Sequence, residues 1–588
     1  MKIRLIIFSV FVLFTLVTDF TWLPNGAFLG KEIAVISCAS LLVIPHIFSK
    51  PSNIKITVLD IVLGLFYIYA LAVLITKPQH GDILRYLVLI LCFGLYYVLG
   101  SDYFKPKSQL KYLVYIFLFV FSYELIVGLE HYLNNFNDTP FNRRVFNLKG
   151  QFANPAPYAC FLSFGFLLGL GILLFYNLGK LKKYVLVLFL VLSLATIILS
   201  ESRTAIVALI LTSIFICYKK FIHQFKSKKI KRVAIIAVLG FTIGIGGVIY
   251  NFNTNSMSGR FLIWKISLRI IRDNVLTGIG LGNYQPIYMT YQSKYFSSVS
   301  NNSREALLAD NVNFAFNEFI QLGAETGLFG LVLIAIVLVI LFQVLLKKSG
   351  RQVIIITALL IHFLIISQFS YPLNEIPLLV ILCTILFLIR NYLKTLFTLH
   401  LNHVYKVVVL IAIIVFNSFW VINTYNAYSS WNLAKKESFG GSLKTCIKYF
   451  ETANKNLSNN GFFLFNYGAI LSEEEKCTRA IPILLKASKY YNENYIWEKL
   501  GDCSKNSNVS EAEFYYINAI NMVPNRFTPM YKLFLLYKDN GKIDEAKKVA
   551  TDIIDKKIKI PSQEINDMKL ECSRFLSSRQ TLHKIFKE

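Results

Sequence analysis

Apolar residues run through this chain in blocks rather than stripes: stretches of about 17 to 20 residues, nearly free of charge, recur from residue 4 to residue 424. At about 1.5 Å of rise per residue, such a block crosses a hydrocarbon layer of about 30 Å as a helix. The blocks fall near 4–22, 31–48, 57–76, 83–100, 112–130, 156–176, 184–200, 204–217, 233–250, 328–346, 352–370, 375–390 and 405–424, which predicts about thirteen spans. Read as one helix, 184–217 would be about 50 Å long, so Glu201-Ser202-Arg203 is a turn between two short spans. After 424 the apolar residues become periodic and charge rises, which predicts amphipathic helices. The expected fold class is all-α, with a membrane domain over 1–424, a long loop at 251–327, and a helical domain over 425–588.

In the second domain Trp497, Leu500 and Ala512 are answered 34 residues later by Tyr531, Phe534 and Ala546. Aromatic, apolar and small positions repeat in order, which resembles tetratricopeptide helix pairs stacking side by side. A weaker unit, Phe463 and Tyr467 to Ala480, precedes them, and Gly501 and Gly541 each occur in only one unit. A plain helical tail without a true repeat is the alternative.

Composition agrees with the pattern, at 55% hydrophobic and only 16% charged residues. The net charge of +27 invites a nucleic-acid reading. The basic residues, however, cluster beyond alternate span ends, at Lys2/Arg4, Lys50/Lys55, Lys105/Lys107/Lys111, Lys180/Lys182/Lys183, Lys219 to Arg232, Lys347/Lys348/Arg351 and Arg390/Lys394/Lys406. That alternation is the positive-inside signature. It predicts a cytoplasmic N-terminus, 251–327 outside, and everything after 424 outside as well. Met1-Lys2-Ile3-Arg4 begins like a signal peptide, but no small-residue cleavage site follows, so an uncleaved first helix is expected. Five cysteines fall in spans; Cys446, Cys477, Cys503 and Cys572 fall in the external tail, where one or two disulfides are compatible with the compartment, as are four buried thiols.

Candidate chemistry collects at the outer ends of spans. Gly150-Gln151-Phe152-Ala153-Asn154-Pro155 opens one span, and Ser202-Arg203 forms the next outer turn. The 251–327 loop then carries Ser258-Gly259-Arg260, Trp264, Arg269 and Arg272, Gly278-Ile279-Gly280-Leu281-Gly282, Asp310, Asn317-Glu318 and Glu325-Thr326-Gly327. A guanidinium fixed beside hydrocarbon is costly and usually has an anionic partner, although each arginine alone also fits a snorkelling anchor, Arg269 and Arg272 most of all. Gly278-x-Gly280-x-Gly282 lacks the Lys and preceding strand of a nucleotide loop and is read as flexible turns. No Asp-x-Asp occurs, so no metal is expected. Asp60 and Lys31, both in or near spans, are candidates either to pair with each other or simply to face a polar interior.

In order and spacing, these pieces over roughly 110–390, with Tyr371-Pro372-Leu373, resemble the O-antigen ligase / O-antigen polymerase superfamily, which includes bacterial protein O-oligosaccharyltransferases. The resemblance implies a metal-independent membrane glycosyltransferase without a cofactor. It would move a glycan from undecaprenyl pyrophosphate to a lipopolysaccharide core or a protein hydroxyl at the outer face of the bacterial inner membrane. Its partners are then the lipid-linked donor, the acceptor and membrane lipids. A chain polymerase is the alternative within the same chemistry, and a non-catalytic transporter or scaffold the alternative outside it. Under this resemblance Arg203, Arg260, Glu318 and Glu325 are the catalytic candidates and Asn154, Ser202, Trp264, Arg269 and Asn317 the substrate-binding ones. Ligase relatives usually carry a His just before the Asn of this segment; this chain has Phe316 there, so the base role would fall to Glu318, Glu325 or Asp310, or to no dedicated group. Glu325 equally suits a structural place at a helix start.

Overall fold

The computed structural model describes residues 2–20, 22–24, 26–48, 53–77, 83–104, 107–134, 146–221, 254–299, 303–400 and 402–585. The span expected at 233–250 lies outside them. The described chain is an all-α polytopic membrane protein. Eight helices are long and apolar enough to cross a membrane, and four shorter apolar helices, Ile6–Val17, Tyr86–Gly100, Arg351–Ser367 and Ile376–Arg390, stand at other expected spans. The expected break in 184–217 is present. Lys180–Leu199 and Arg203–Phe221 are separate helices, joined through Glu201 in the left-handed region at φ +54°.

Two expected boundaries move. The span placed at 328–346 begins at Glu318, where the Asn317 side chain accepts from the Phe319 and Ile320 amides and starts the helix earlier. The division at 424 falls inside a single helix, His403–Ser438. With 36 residues and a length of about 54 Å, that helix outruns the hydrocarbon layer and carries the chain into the tail. A two-stranded antiparallel ribbon, Asn53–Ile56 with Phe397–His400, pairs Asn53 with His400 and Ile56 with Phe397 and ties two membrane-helix ends together.

Buried polar groups fix the helix arrangement, because lipid offers them no alternative partner. His362 lies between Ser163 Oγ (2.6 Å) and Thr212 Oγ1 (3.1 Å), linking Pro155–Phe175, Arg203–Phe221 and Arg351–Ser367. Asp60 does not pair with Lys31. Its carboxylate accepts from Arg390 Nε at 2.7 Å and from the Tyr97 hydroxyl at 2.8 Å, all three largely buried at the end of Ile376–Arg390. Lys31 sits at the opposite end of the domain and donates to the Gln151 carbonyl at 2.5 Å.

The glycine-rich segment is not a set of flexible turns. Glu318–Lys347 is broken at Gly327 (φ +62°), and the hydrogen bonds lost there are exchanged with the segment that follows Asp273. Leu328 N–H donates to the Val275 carbonyl at 2.8 Å, while the Ala324 and Glu325 carbonyls accept from Ile279 (2.9 Å) and Gly280 (2.8 Å). Gly278, at φ +67°, passes so close that a Cβ would lie 2.5 Å from the Glu325 carbonyl oxygen. Such a break is tolerated at membrane depth only where protein supplies the missing partners.

The tail packs as successive helix pairs: Gly461–Glu473 with Cys477–Tyr490, Asn494–Ser504 with Val509–Met522, and Thr528–Asp539 with Ile543–Asp555, capped by Gln563–Ile585. Leu500, Ala512, Phe534 and Ala546 are fully buried at the helix contacts. Cys477 and Cys503 form a disulfide, while Cys446 and Cys572 are free and buried. The tail also docks on the 254–317 loop. Gln292 donates to the Met522 carbonyl (2.6 Å), Gln285 to the Asn492 carbonyl (2.6 Å) and Asn311 to Asn494 (2.9 Å), and Met522 and Val523 complete the loop's apolar core. Loop and tail therefore share one side of the membrane domain, as the four helices between them require.

Replacing Arg390 by Met should leave the Asp60 carboxylate buried and unneutralised and cost about 3–5 kcal/mol. The detergent-solubilised variant is expected to melt well below the parent, and an Asp60→Leu/Arg390→Met double variant to recover most of the loss. Gly278→Ala, forced into a left-handed backbone against Glu325, should destabilise by more than about 1 kcal/mol, read as a lower melting temperature; Gly64→Ala, where nothing lies within 4 Å, is the control.

Candidate functional site

Five separate elements converge at the end of the membrane domain that carries the loop. The Pro155–Phe175 helix brings Asn154 at its N-cap. Arg203 is the first residue of its helix, so the helix's positive end and the guanidinium coincide. Arg260 and Trp264, one turn apart on Thr254–Asp273, share a face. Phe314, Phe316 and Tyr371 close the remaining side.

An aromatic stack organises these groups. Phe314 lies parallel to Tyr371 with centroids 4.4 Å apart, Phe316 meets Tyr371 edge-on at 5.6 Å, and the Arg260 guanidinium lies 5.5 Å from the Phe316 ring centre. Asn154 Nδ2 donates to the Tyr371 hydroxyl at 3.3 Å, and Trp264 Nε1 donates to the Ala315 carbonyl at 2.9 Å, fixing the strand of loop that presents Phe316. Phe316 itself is held at φ +53°, a costly conformation for a bulky side chain that persists only under constraint. A cavity of about 350 Å³ opens between Asn154, Gly259, Asp310, Phe314, Phe316 and Tyr371.

Arg203 and Arg260 stand outside the lining of this cavity, Arg260 against its Phe316 wall. Burial, and next the positive charge of Arg203, hold the Arg260 guanidinium below its ordinary value, so the two cations stand within reach of one another. Among the described residues neither has a hydrogen bond or an acidic partner. Burial pushes the Tyr371 hydroxyl up to about 12, with the negative charge of Glu375 adding to it.

The other expected residues divide clearly. Ser202 is buried immediately before Arg203. Asn317 spends its carbonyl oxygen on the helix cap and donates to Gln368 at 3.3 Å. Glu318 accepts from the Leu373 amide at 2.7 Å, holding the Tyr371–Glu375 segment in place, and Glu325 accepts from the Gly282 amide at 3.2 Å. Glu325 stands before the Gly327 break rather than at a helix start. Arg269 is not brought to the cavity. Nine residues beyond Arg260 is half a turn off its face at about 100° per residue, and Arg269 lies exposed over the Tyr295 ring at 4.7 Å. Arg272 is exposed beside Asp273. Asp310 pairs with Arg526 (3.3 Å) and Lys559 (3.6 Å) of the tail. No group of His, Cys, Asp or Glu among the described residues could hold a metal ion.

A residue the sequence reading passed over lies beside this site. Glu375 is buried at the start of Ile376–Arg390, and its charge is felt by both Tyr371 and Cys160, the latter also within reach of Arg260.

Comparison with curated proteins gives no match. Residues 188–335 match the family model described as O-antigen ligase, a stretch that contains Ser202, Arg203, Arg260, the glycine segment and Glu318 to Glu325. The match supports glycan transfer of ligase or polymerase type, with a lipid-linked glycan donor and an acceptor as its partners. The apolar helices make the chain a multi-pass membrane protein, and its residues 188–335 are similar to the O-antigen ligase family.

Proposed function

We propose that the protein transfers a glycan from undecaprenyl pyrophosphate to a lipopolysaccharide-core or protein hydroxyl at the outer face of the inner membrane. The observation that carries this reading is the pair Arg203 and Arg260, two neighbouring cations with no anion among the described residues. Holding two like charges together in a partly buried site is unfavourable unless an anion joins them. A diphosphate ester, with two to three negative charges and oxygens spaced for planar guanidinium forks, is the ligand that fits. Catalysis follows from the same contact, since charge develops on the departing lipid diphosphate and the forks meet it there. Because that group leaves readily, the two-carboxylate machinery of glycoside hydrolysis is unnecessary.

In this reading Asn154, Tyr371 and Trp264 shape the cavity beside the arginines, and Ser202 and Asn317 set the helix starts that aim them. Glu318 and Glu325 act by positioning, since each binds a backbone amide. The tail acts as a tetratricopeptide-like module that holds the acceptor side of the loop, and its disulfide suits an oxidising outer compartment. Phe316 in place of His favours a second reading, chain polymerisation, in which the acceptor is another lipid-linked repeat.

With the chain reconstituted beside lipid-linked glycan and acceptor, Arg203→Ala and Arg260→Ala should each lower transfer by about 10²- to 10³-fold while the protein stays inserted. Arg203→Lys should not restore the rate, because an ammonium cannot grip two oxygens as a fork does. Normal transfer by both alanine variants would remove the assignment. Glycan lengths in a deletion strain separate the two readings: single unpolymerised repeats indicate the polymerase, and full-length unattached chains the ligase.

A further inference from the structure

Transfer to a hydroxyl leaves a proton to be placed, and this chain has no histidine at Phe316. Three of the carboxylates near the site are occupied: Glu318 on the Leu373 amide, Glu325 on the Gly282 amide, and Asp310 with Arg526 and Lys559. Glu375 is not. It is 3% exposed, its side chain makes no cap bond although it occupies the N-cap, and its Oε1 is buried without a hydrogen-bond partner among the described residues. An acceptor atom left open in a dry site is costly unless something supplies a hydrogen.

Its neighbourhood is built around that atom. Lys31 is attracted by Glu124, Asp19 and Glu375. Glu124 Oε2 accepts from the Gln151 amide at 3.2 Å while Lys31 Nζ donates to the Gln151 carbonyl, so the two residues grip the backbone of Gln151 on both sides, in the element leading to Asn154. Asp19 Oδ1, Glu124 Oε1 and Gln151 Oε1 are buried and unpartnered in the same way. Three carboxylates, each with a buried open oxygen, act on one ammonium and suit a cluster that takes up and releases protons. Glu375 is the member nearest in sequence to the cavity, although it is not in the lining. It follows Tyr371 across the single turn Pro372–Asn374, and Tyr371 lines the cavity.

We propose that Glu375 accepts the proton of the acceptor hydroxyl, with Lys31 setting its charge; this rests on the glycan-transfer reading above. The acceptor O–H bond breaks and its oxygen forms the new bond to the anomeric carbon. The anomeric carbon–oxygen bond to the diphosphate breaks, and the electron pair leaves with the lipid diphosphate held by Arg203 and Arg260. The proton passes to the Glu375 carboxylate and afterwards to water. The groups that face Glu375 and shape its titration are Lys31, Cys160 and Tyr371, with Glu124 and Asp19 acting through Lys31.

The test uses the full chain in liposomes with lipid-linked glycan and acceptor, measuring donor binding and transfer rate against pH for the parent, Glu375→Gln and Glu375→Asp. Glu375→Gln is expected to bind donor as the parent does, to transfer about 10²- to 10⁴-fold more slowly, and to lose the acid limb of the profile. Glu375→Asp, which keeps a carboxylate, should retain part of the rate with that limb displaced. Parent-like transfer by Glu375→Gln overturns the proposal, and so does loss of donor binding in step with transfer, which marks a purely structural residue. If Glu375→Gln fails to insert, an unchanged acid limb in Glu375→Asp overturns it and a displaced one supports it. A parent chain that binds donor but transfers nothing overturns the glycan-transfer reading itself, and is told apart from the other outcomes by that control.

Discussion

The site turns on two arginines, Arg203 and Arg260, near enough for the charge of the first to bear on the second and without an acidic partner among the described residues. Proteins seldom keep like charges side by side at a membrane rim, where water cannot fully screen them. Here the cost is met by rigid surroundings. The backbone of Arg203 is fixed at the start of a helix that His362 locks to two neighbours. Arg260 is trapped between the Phe316 ring and the wall that Trp264 holds. The backbone that carries the two cations is thus in place without any ligand.

The same logic accounts for where the backbone is strained. Among the described residues of the membrane domain, the non-glycine positions in the left-handed region are Glu201 and Phe316. Each immediately precedes a segment that delivers site residues, Ser202-Arg203 and Asn317-Glu318. Strain of this kind survives when neighbouring contacts over-determine it, and both turns are so determined. The Glu201 turn is bounded by two packed helices. The Phe316 turn is fixed by the Trp264 bond on one side and the Asn317 cap on the other.

Fold class was legible because span length and apolar composition are local properties, and the placing of Arg260 and Trp264 on one helix face follows from their spacing alone. Arg269 could have been excluded by the same helical arithmetic that admits Trp264. What could not be read depends on partners far away in sequence. The Gly278 to Gly282 segment looks flexible in isolation, yet its bonds go to Ala324 and Glu325. Asp60 offers no hint that its cation lies at Arg390. Glu375 reads as an ordinary acidic residue ahead of an apolar helix, and only its open, buried oxygen distinguishes it. The pairing of Cys477 with Cys503 likewise needed the helices to be placed first.

The break at Gly327 has a consequence for how the chain is made. Residues 275–280 precede the helix whose open carbonyls they satisfy. During synthesis they leave the ribosome first and can already be in place when that helix enters lipid. A permuted chain that emitted the two in reverse would thread a helix with exposed peptide groups into hydrocarbon, with no partner waiting to receive them.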